Sequence, residues 1–231
     1  MEICKLENIS KSFTVGEKIT PLINVHLQVM AGDFIVIEGS SGTGKSTLLY
    51  VLGTLLKADS GKYLIEGKDP YSFTDSQLSE LRAKKIGFLF QETNLIQALS
   101  VEQNIEFVSK AQKIPDKEVE ALLAEFGLGD RKDFLPFQLS GGQRRRAAAV
   151  RSLIHKPILI LADEPSNDLD EHWSKVMMTQ LKKQTERGAA VIMVSHNDKS
   201  EYANRRYRLK EGILQEITKP IAEQSTTLRV M

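Results

Sequence analysis

Nine residues, Gly39-Ser40-Ser41-Gly42-Thr43-Gly44-Lys45-Ser46-Thr47, carry the strongest chemical signal in the chain. They combine three glycines, a lysine and a run of hydroxyls, a set suited to holding phosphates. Glycines let the backbone turn tightly enough for its N–H groups to point inward at an anion, and a helix opening near Lys45 adds its positive dipole end. In this pattern Lys45 reaches the β- and γ-phosphates, and the Ser46 hydroxyl ligates Mg²⁺.

A second group lies where the apolar run Ile158-Leu159-Ile160-Leu161-Ala162 ends in Asp163-Glu164-Pro165. Phosphoryl transfer needs one carboxylate to hold Mg²⁺ through water and another to orient and deprotonate the attacking water. Asp163 suits the first task and Glu164 the second. A third group, Leu139-Ser140-Gly141-Gly142-Gln143, precedes a helical stretch from Arg144 to Ile154. With Ser140 at the N-cap, two glycines, a hydroxyl and a helix start form a second anion site. One phosphate cannot use both loops of one subunit if they lie on different lobes. Two copies paired head to tail, each closing its Ser140 loop on the γ-phosphate held by the other, resolve this.

The elements that position these groups alternate between strand and helix patterns. Residues 3–7 and 20–37 read as strands, with a turn around Gly16 and a reversal at Ala31-Gly32-Asp33 before the phosphate loop. A helix follows the loop. Tyr63-Leu64-Ile65 is a short strand, Ser76 to Lys85 a helix, and Ile86-Gly87-Phe88-Leu89-Phe90 an apolar strand ending at Gln91. From about 95 to 156 the periodicity is helical (Val101 to Ala111, Lys117 to Phe126, Gly142 to His155), as in a helical lobe inserted into a sheet domain. Ile158 to Ala162 and Ala189 to Val194 have the fully apolar composition of buried parallel strands, and Glu171 to Arg187 is the helix between them. Residues 205–217 suggest a closing pair of strands, and 218–231 carry no pattern and read as a partly disordered tail. Arg144-Arg145-Arg146 reads as a solvated helix face or as packing on a coupling surface, and Arg205-Arg206-Tyr207-Arg208 as structural.

A length of 231 residues suits one α/β domain or one domain with an inserted lobe. With 31 basic against 30 acidic residues and no long basic block, nucleic acid is disfavoured as a ligand. Cys4 is the single cysteine, so no intrachain disulfide or cysteine metal cluster is expected, in keeping with a reducing compartment. The first residues lack the apolar stretch of a signal peptide, and no apolar run is long enough to span a bilayer. Any membrane role is therefore expected to come through a partner, without direct insertion.

Together these motifs resemble an ATP-binding-cassette (ABC) ATPase subunit over roughly residues 1–217. Gly39 to Thr47 matches the Walker A loop, Gln91 the Q-loop, Leu139 to Gln143 the signature, Ile158 to Glu164 the Walker B strand, Ser166 to Asp170 the D-loop and His196 the switch histidine. Phe13 matches the aromatic A-loop position. The resemblance implies a P-loop NTPase (RecA-like) α/β core, an α-helical subdomain inserted at about 92–156, an N-terminal antiparallel β-subdomain and a tail from 218. It implies that Phe13 stacks on adenine, that Gln91 ligates Mg²⁺ and senses a transmembrane partner, and that His196 contacts the γ-phosphate. Asp170 belongs to the same nucleotide-binding set. Two departures stand out: Asp168 adds a carboxylate before Leu169-Asp170, and Asn197 replaces the usual aspartate after the histidine.

Ser79 to Gln91 and Asn94 to Ile105 look like the branch holding lipoprotein-release, macrolide-efflux, antimicrobial-peptide-resistance and cell-division ATPases. In that branch an ATPase dimer sits under a transmembrane permease-type subunit, on the inner face of the cell membrane. Thr93 to Phe107 would form the docking groove for the partner's cytoplasmic helix. The leading expectation is an ATP-hydrolysing subunit of a transporter or mechanical export complex. The alternative is a regulatory module that switches a cell-envelope enzyme without moving a substrate. A soluble cassette in translation or DNA repair usually needs two cassettes or a long insertion, and neither appears.

Overall fold

The computed structural model describes residues 1–195 and 201–217. Two long strands, β1 (Glu2–Val15) and β2 (Glu17–Met30), form an antiparallel hairpin, with β4 (Ser60–Ile65) on the other side of β1. On β2 buried and exposed residues alternate over its second half, as expected of a sheet with one face on a core. The second sheet has the order β5-β6-β7-β3-β8-β9. It comprises β3 (Phe34–Glu38), β5 (Ile86–Leu89), β6 (Leu159–Asp163), β7 (Ala190–Val194), β8 (Arg205–Lys210) and β9 (Ile213–Glu216). Neighbouring strands are parallel from β5 to β8, and β9 closes the edge antiparallel to β8.

The apolar strands at the centre owe their composition to burial on both faces. Phe34 and Val36 of β3, Ile160 and Ala162 of β6, and Val191 and Met193 of β7 pack into a core shared with the helices that follow β5. The residues between them, Ile35 and Ile37, Leu159 and Leu161, Ile192 and Val194, face a second core under the hairpin. That second core also takes Leu48, Leu49, Val51 and Leu52 of α1 (Lys45–Leu52).

Five further α-helices lie among the described residues: α2 (Asp75–Lys85), α3 (Val101–Ser109), α4 (Asp116–Glu125), α5 (Gly141–Leu153) and α6 (Glu171–Glu186). Three of them start with the same device. Thr74, Ser100 and Ser140 accept the N–H of a glutamine three residues on, and that glutamine's side chain accepts the cap's own N–H. Asp170 caps α6 by accepting the Trp173 N–H at 2.9 Å.

Two readings of the sequence change. The N-terminal strands run as one hairpin over residues 2–30, so 8–15 and 17–19 are strand as well, while the expected reversal at Ala31 to Asp33 does separate β2 from β3. The arginine run is not a solvated face: Arg145 and Arg146 are buried. Arg146 stacks on the Trp173 ring, 3.7 Å from its centroid, and donates to the carbonyls of Phe126 and Gly127.

Gly127 follows α4 with φ +62°, and a Cβ there would stand 2.2 Å from Trp173 and 3.1 Å from Arg146. Gly127→Ala is expected to lower stability by roughly 2–4 kcal/mol through backbone strain and displacement of the stacked pair. Urea unfolding followed by Trp173 fluorescence checks this, and an unchanged midpoint would contradict it.

Candidate active site

Parallel strands deliver their carboxyl ends to one edge of a sheet, where ligands of open α/β folds bind. Here β3 leads into Gly39, β5 into the segment containing Gln91, and β6 ends at Asp163. A cavity of about 370 Å³ opens at that edge. Ser41, Gly42, Gly44, Lys45, Ser46 and Thr47 line it from the loop, Gln91, Asp163 and Glu164 from the neighbouring strand ends, and Phe13 from the hairpin.

The loop is held from both sides. A Cβ on Gly39 would lie 2.5 Å from the Leu209 carbonyl oxygen and 2.8 Å from Thr43 Oγ1. Gly44 has φ +98°, and a Cβ there would lie 2.5 Å from the Pro21 carbonyl oxygen. Gly42, at φ +77°, faces open space on the cavity side. Lys45 Nζ donates to the carbonyls of Gly39 and Ser40 at 2.7 and 2.8 Å, and the Thr43 hydroxyl donates to Ser40 at 2.9 Å. Burial draws the Lys45 ammonium below its ordinary pKa, while the carboxylates of Glu164 and Asp163 act in the opposite direction.

Across the cavity the Ser46 hydroxyl donates to Asp163 Oδ2 at 2.7 Å. With Gln91 on the same wall, three oxygen donors face one space, the hard-ligand set that suits Mg²⁺. Glu164 is buried and sits in the left-handed region at φ +49°, a costly backbone for a non-glycine residue and one that recurs at working sites. Its N–H donates to the Val194 carbonyl at 3.1 Å, and its carbonyl accepts the Asn167 N–H at 3.1 Å.

Ser140, Gly141, Gly142 and Gln143 do not line this cavity. They form the first turn of α5, where Ser140 and Gln143 cap one another, at 2.8 Å from the Ser140 N–H and 3.2 Å from the Gln143 N–H. Ser140 is exposed. Asp170 is likewise outside the cavity, at its capping position on α6. His196 and Asn197 lie outside the described residues.

Three lining residues escaped the sequence reading: Ile19, Pro21 and Asn167. Ile19 is the cross-strand partner of Phe13. A hairpin read at its full length would have placed the two together; Asn167 lies within the Ser166 to Asp170 stretch, from which the sequence reading took Asp170 alone into the site.

Fold and cavity together define a P-loop nucleotide-binding protein. A family model for ABC transporters matches residues 22–167. The lipoprotein-releasing system ATP-binding protein LolD of Aquifex aeolicus is 40% identical over 224 residues, covering 94% of this chain and 99% of LolD. The macrolide export ATP-binding/permease protein MacB of Vibrio parahaemolyticus is 38% identical over 216 residues, covering 91% of this chain. The chain spans about a third of that protein's length (33%). Among solved structures, the dimeric ATP-binding cassette MJ0796 in a post-hydrolysis state with ADP and Pi superposes with a TM-score of 0.87 at 33% identity, covering 94% of this chain and all of that one. The chain therefore belongs to the ABC transporter family, as an ATP-binding, ATP-hydrolysing cassette.

Lys45→Ala removes the cation from the loop and is expected to weaken ATP binding at least about tenfold. A nucleotide titration followed by fluorescence checks this, and unchanged affinity would contradict the placement of phosphates in the loop.

Proposed function

We propose that this cassette, comprising residues 1–217 with the segment about 92–156 as its helical insert, drives a separate transmembrane permease-type subunit from the inner face of the cell membrane. ATP-dependent pairing of two copies, head to tail, closes the sites. The observation that supports the reading is the separation of the two loops read as anion sites. The phosphate loop lines the cavity of its own copy, while the Ser140 helix start is exposed and outside it.

In this reading the loop N–H groups and Lys45 hold the β- and γ-phosphates, and Phe13, with Ile19 across the hairpin, covers the adenine. Ser46, Gln91 and Asp163 would hold Mg²⁺, which would supply neutralisation of the phosphate charge. Glu164 takes a proton from the attacking water, and His196 contacts the γ-phosphate. Ser140, Gly141, Gly142 and Gln143 of the second copy, with its Asp170 turn, complete each site.

Support for the membrane partner comes from the relatives' names and from a second cavity. LolD is named as the ATP-binding protein of a releasing system, and MacB as an ATP-binding/permease protein. Phe88, Phe90, Phe107 and Val108 line an apolar recess of about 400 Å³, and Phe107 is 71% exposed. In this reading the recess receives the partner's cytoplasmic helix; of the stretch Thr93 to Phe107 expected to form that groove, Phe107 alone lines it. Among the described residues, no helix is long and apolar enough to cross a membrane.

Glu164→Gln keeps the shape but loses the base, so ATP binding should persist while turnover falls roughly 10²- to 10⁴-fold and an ATP-bound dimer accumulates. Steady-state ATPase with size exclusion in ATP checks this; near-normal turnover would remove Glu164 from the role. For the shared site, Ser140→Arg and Lys45→Ala copies are each expected to be inactive as homodimers. Mixing them leaves one doubly broken site and one complete site, so the mixture should regain part of the activity. A mixture no more active than its two components would contradict sharing.

A further inference from the structure

A buried guanidinium joins three segments of the site. Arg145, on α5, is 4% exposed. Its Nη1 donates at 2.7 Å to the carbonyl of Phe90, the residue before Gln91. Its Nη2 lies 3.5 Å from Oδ2 of Asp168, in the turn that leaves Glu164. Nε has no partner among the described residues, so these two contacts carry the side chain's polar satisfaction. Asp168 adopts φ +63°, an uncommon backbone for a residue other than glycine. Its carbonyl oxygen stands 3.0 Å from where a Cβ on Gly142 would be, so the turn also packs against the start of α5.

The other arginines of the run do different work. Arg144 donates to the Leu139 carbonyl of its own helix start, and Arg146 lies over Trp173. Arg145 alone among the three spans from α5 to both the Gln91 and the Glu164 segments. A cation taken out of water needs a counter-charge or several acceptors, and Asp168 is the carboxylate paired with it here. Without Asp168, a single carbonyl would satisfy a buried guanidinium. The group would then gain by moving toward water, releasing the Phe90 carbonyl and the turn after Glu164 together.

We infer that Arg145 and Asp168 are a positioning pair, which fixes the Ser140 helix relative to the segments carrying Gln91 and Glu164. Neither residue lines the cavity; the pair sets where the groups that do are held. The inference rests on the reading of Glu164 as the base and Gln91 as a metal ligand.

A double-mutant cycle tests it. Asp168 is exposed, so Asp168→Ala should fold normally, lower kcat about three- to tenfold and leave ATP affinity within about twofold. Asp168→Glu should recover most of the lost rate. The double variant Arg145→Gln with Asp168→Ala should be no slower than Arg145→Gln alone, because the second change removes nothing further. Unchanged kcat in Asp168→Ala, equal losses of kcat and affinity, or losses that multiply in the double variant would overturn the pair. If Arg145→Gln fails to fold, Asp168→Asn and Asp168→Glu decide: an impaired Asn with a near-normal Glu supports the charge pairing, and equal behaviour overturns it. Glu164→Gln assayed alongside separates the two levels, since its retaining turnover would remove the underlying reading rather than the pair.

Discussion

The site depends on the clamping of one loop between two sheets. Gly39 lies against the Leu209 carbonyl of β8 and Gly44 against the Pro21 carbonyl of β2, both where only hydrogen fits. Lys45 then folds onto the carbonyls of Gly39 and Ser40, so the loop is closed by its own lysine as well as by its neighbours. Backbone N–H groups bind an anion well when their directions are set before it arrives, and here the packing of two sheets sets them. The parallel order β5-β6-β7-β3 brings Gln91, Asp163 and Glu164 to the same edge.

How far this was legible in the sequence differs between the two sheets, for a physical reason. β3, β6 and β7 are buried on both faces, so their runs are apolar without interruption and stand out. The hairpin hid its length. Its register shifts between Leu6 and Ile9, Ile9 and Lys11, and Lys11 and Phe13, and Asn8 and Asn24 adopt positive φ. Each irregularity breaks the two-residue alternation by which a strand is read, so residues 8–15 showed no strand pattern and the pairing of Phe13 with Ile19 went unseen.

The loop motifs were legible because chemistry fixes both residue type and spacing: glycines at 39, 42 and 44, the lysine at 45, the carboxylates at 163 and 164. Long-range pairing is not fixed in that way. Three consecutive arginines read as a wet helix face or as packing on a coupling surface, since nothing local announces the Trp173 ring above Arg146 or the Phe90 carbonyl and Asp168 beside Arg145. Asp168 stood out as an odd carboxylate, but its partner came into view only with the fold. The same holds for the two loops read as anion sites: residues of the phosphate loop line a cavity, and Ser140 is an exposed helix cap outside it.

In the proposed function ATP brings the phosphate loop of one copy against the Ser140 helix start of another. Ser41 and Ser140 are both exposed, whereas Cys4 is buried and its thiol pushed up by burial, so introduced cysteines react against a silent background. Copies carrying Ser41→Cys and copies carrying Ser140→Cys, each with Glu164→Gln, can be mixed and treated with a short thiol-specific cross-linker. Linked pairs containing one copy of each kind should form with ATP and Mg²⁺ and be nearly absent without nucleotide. Absence of linked pairs in ATP, or the same yield with and without it, would contradict the account.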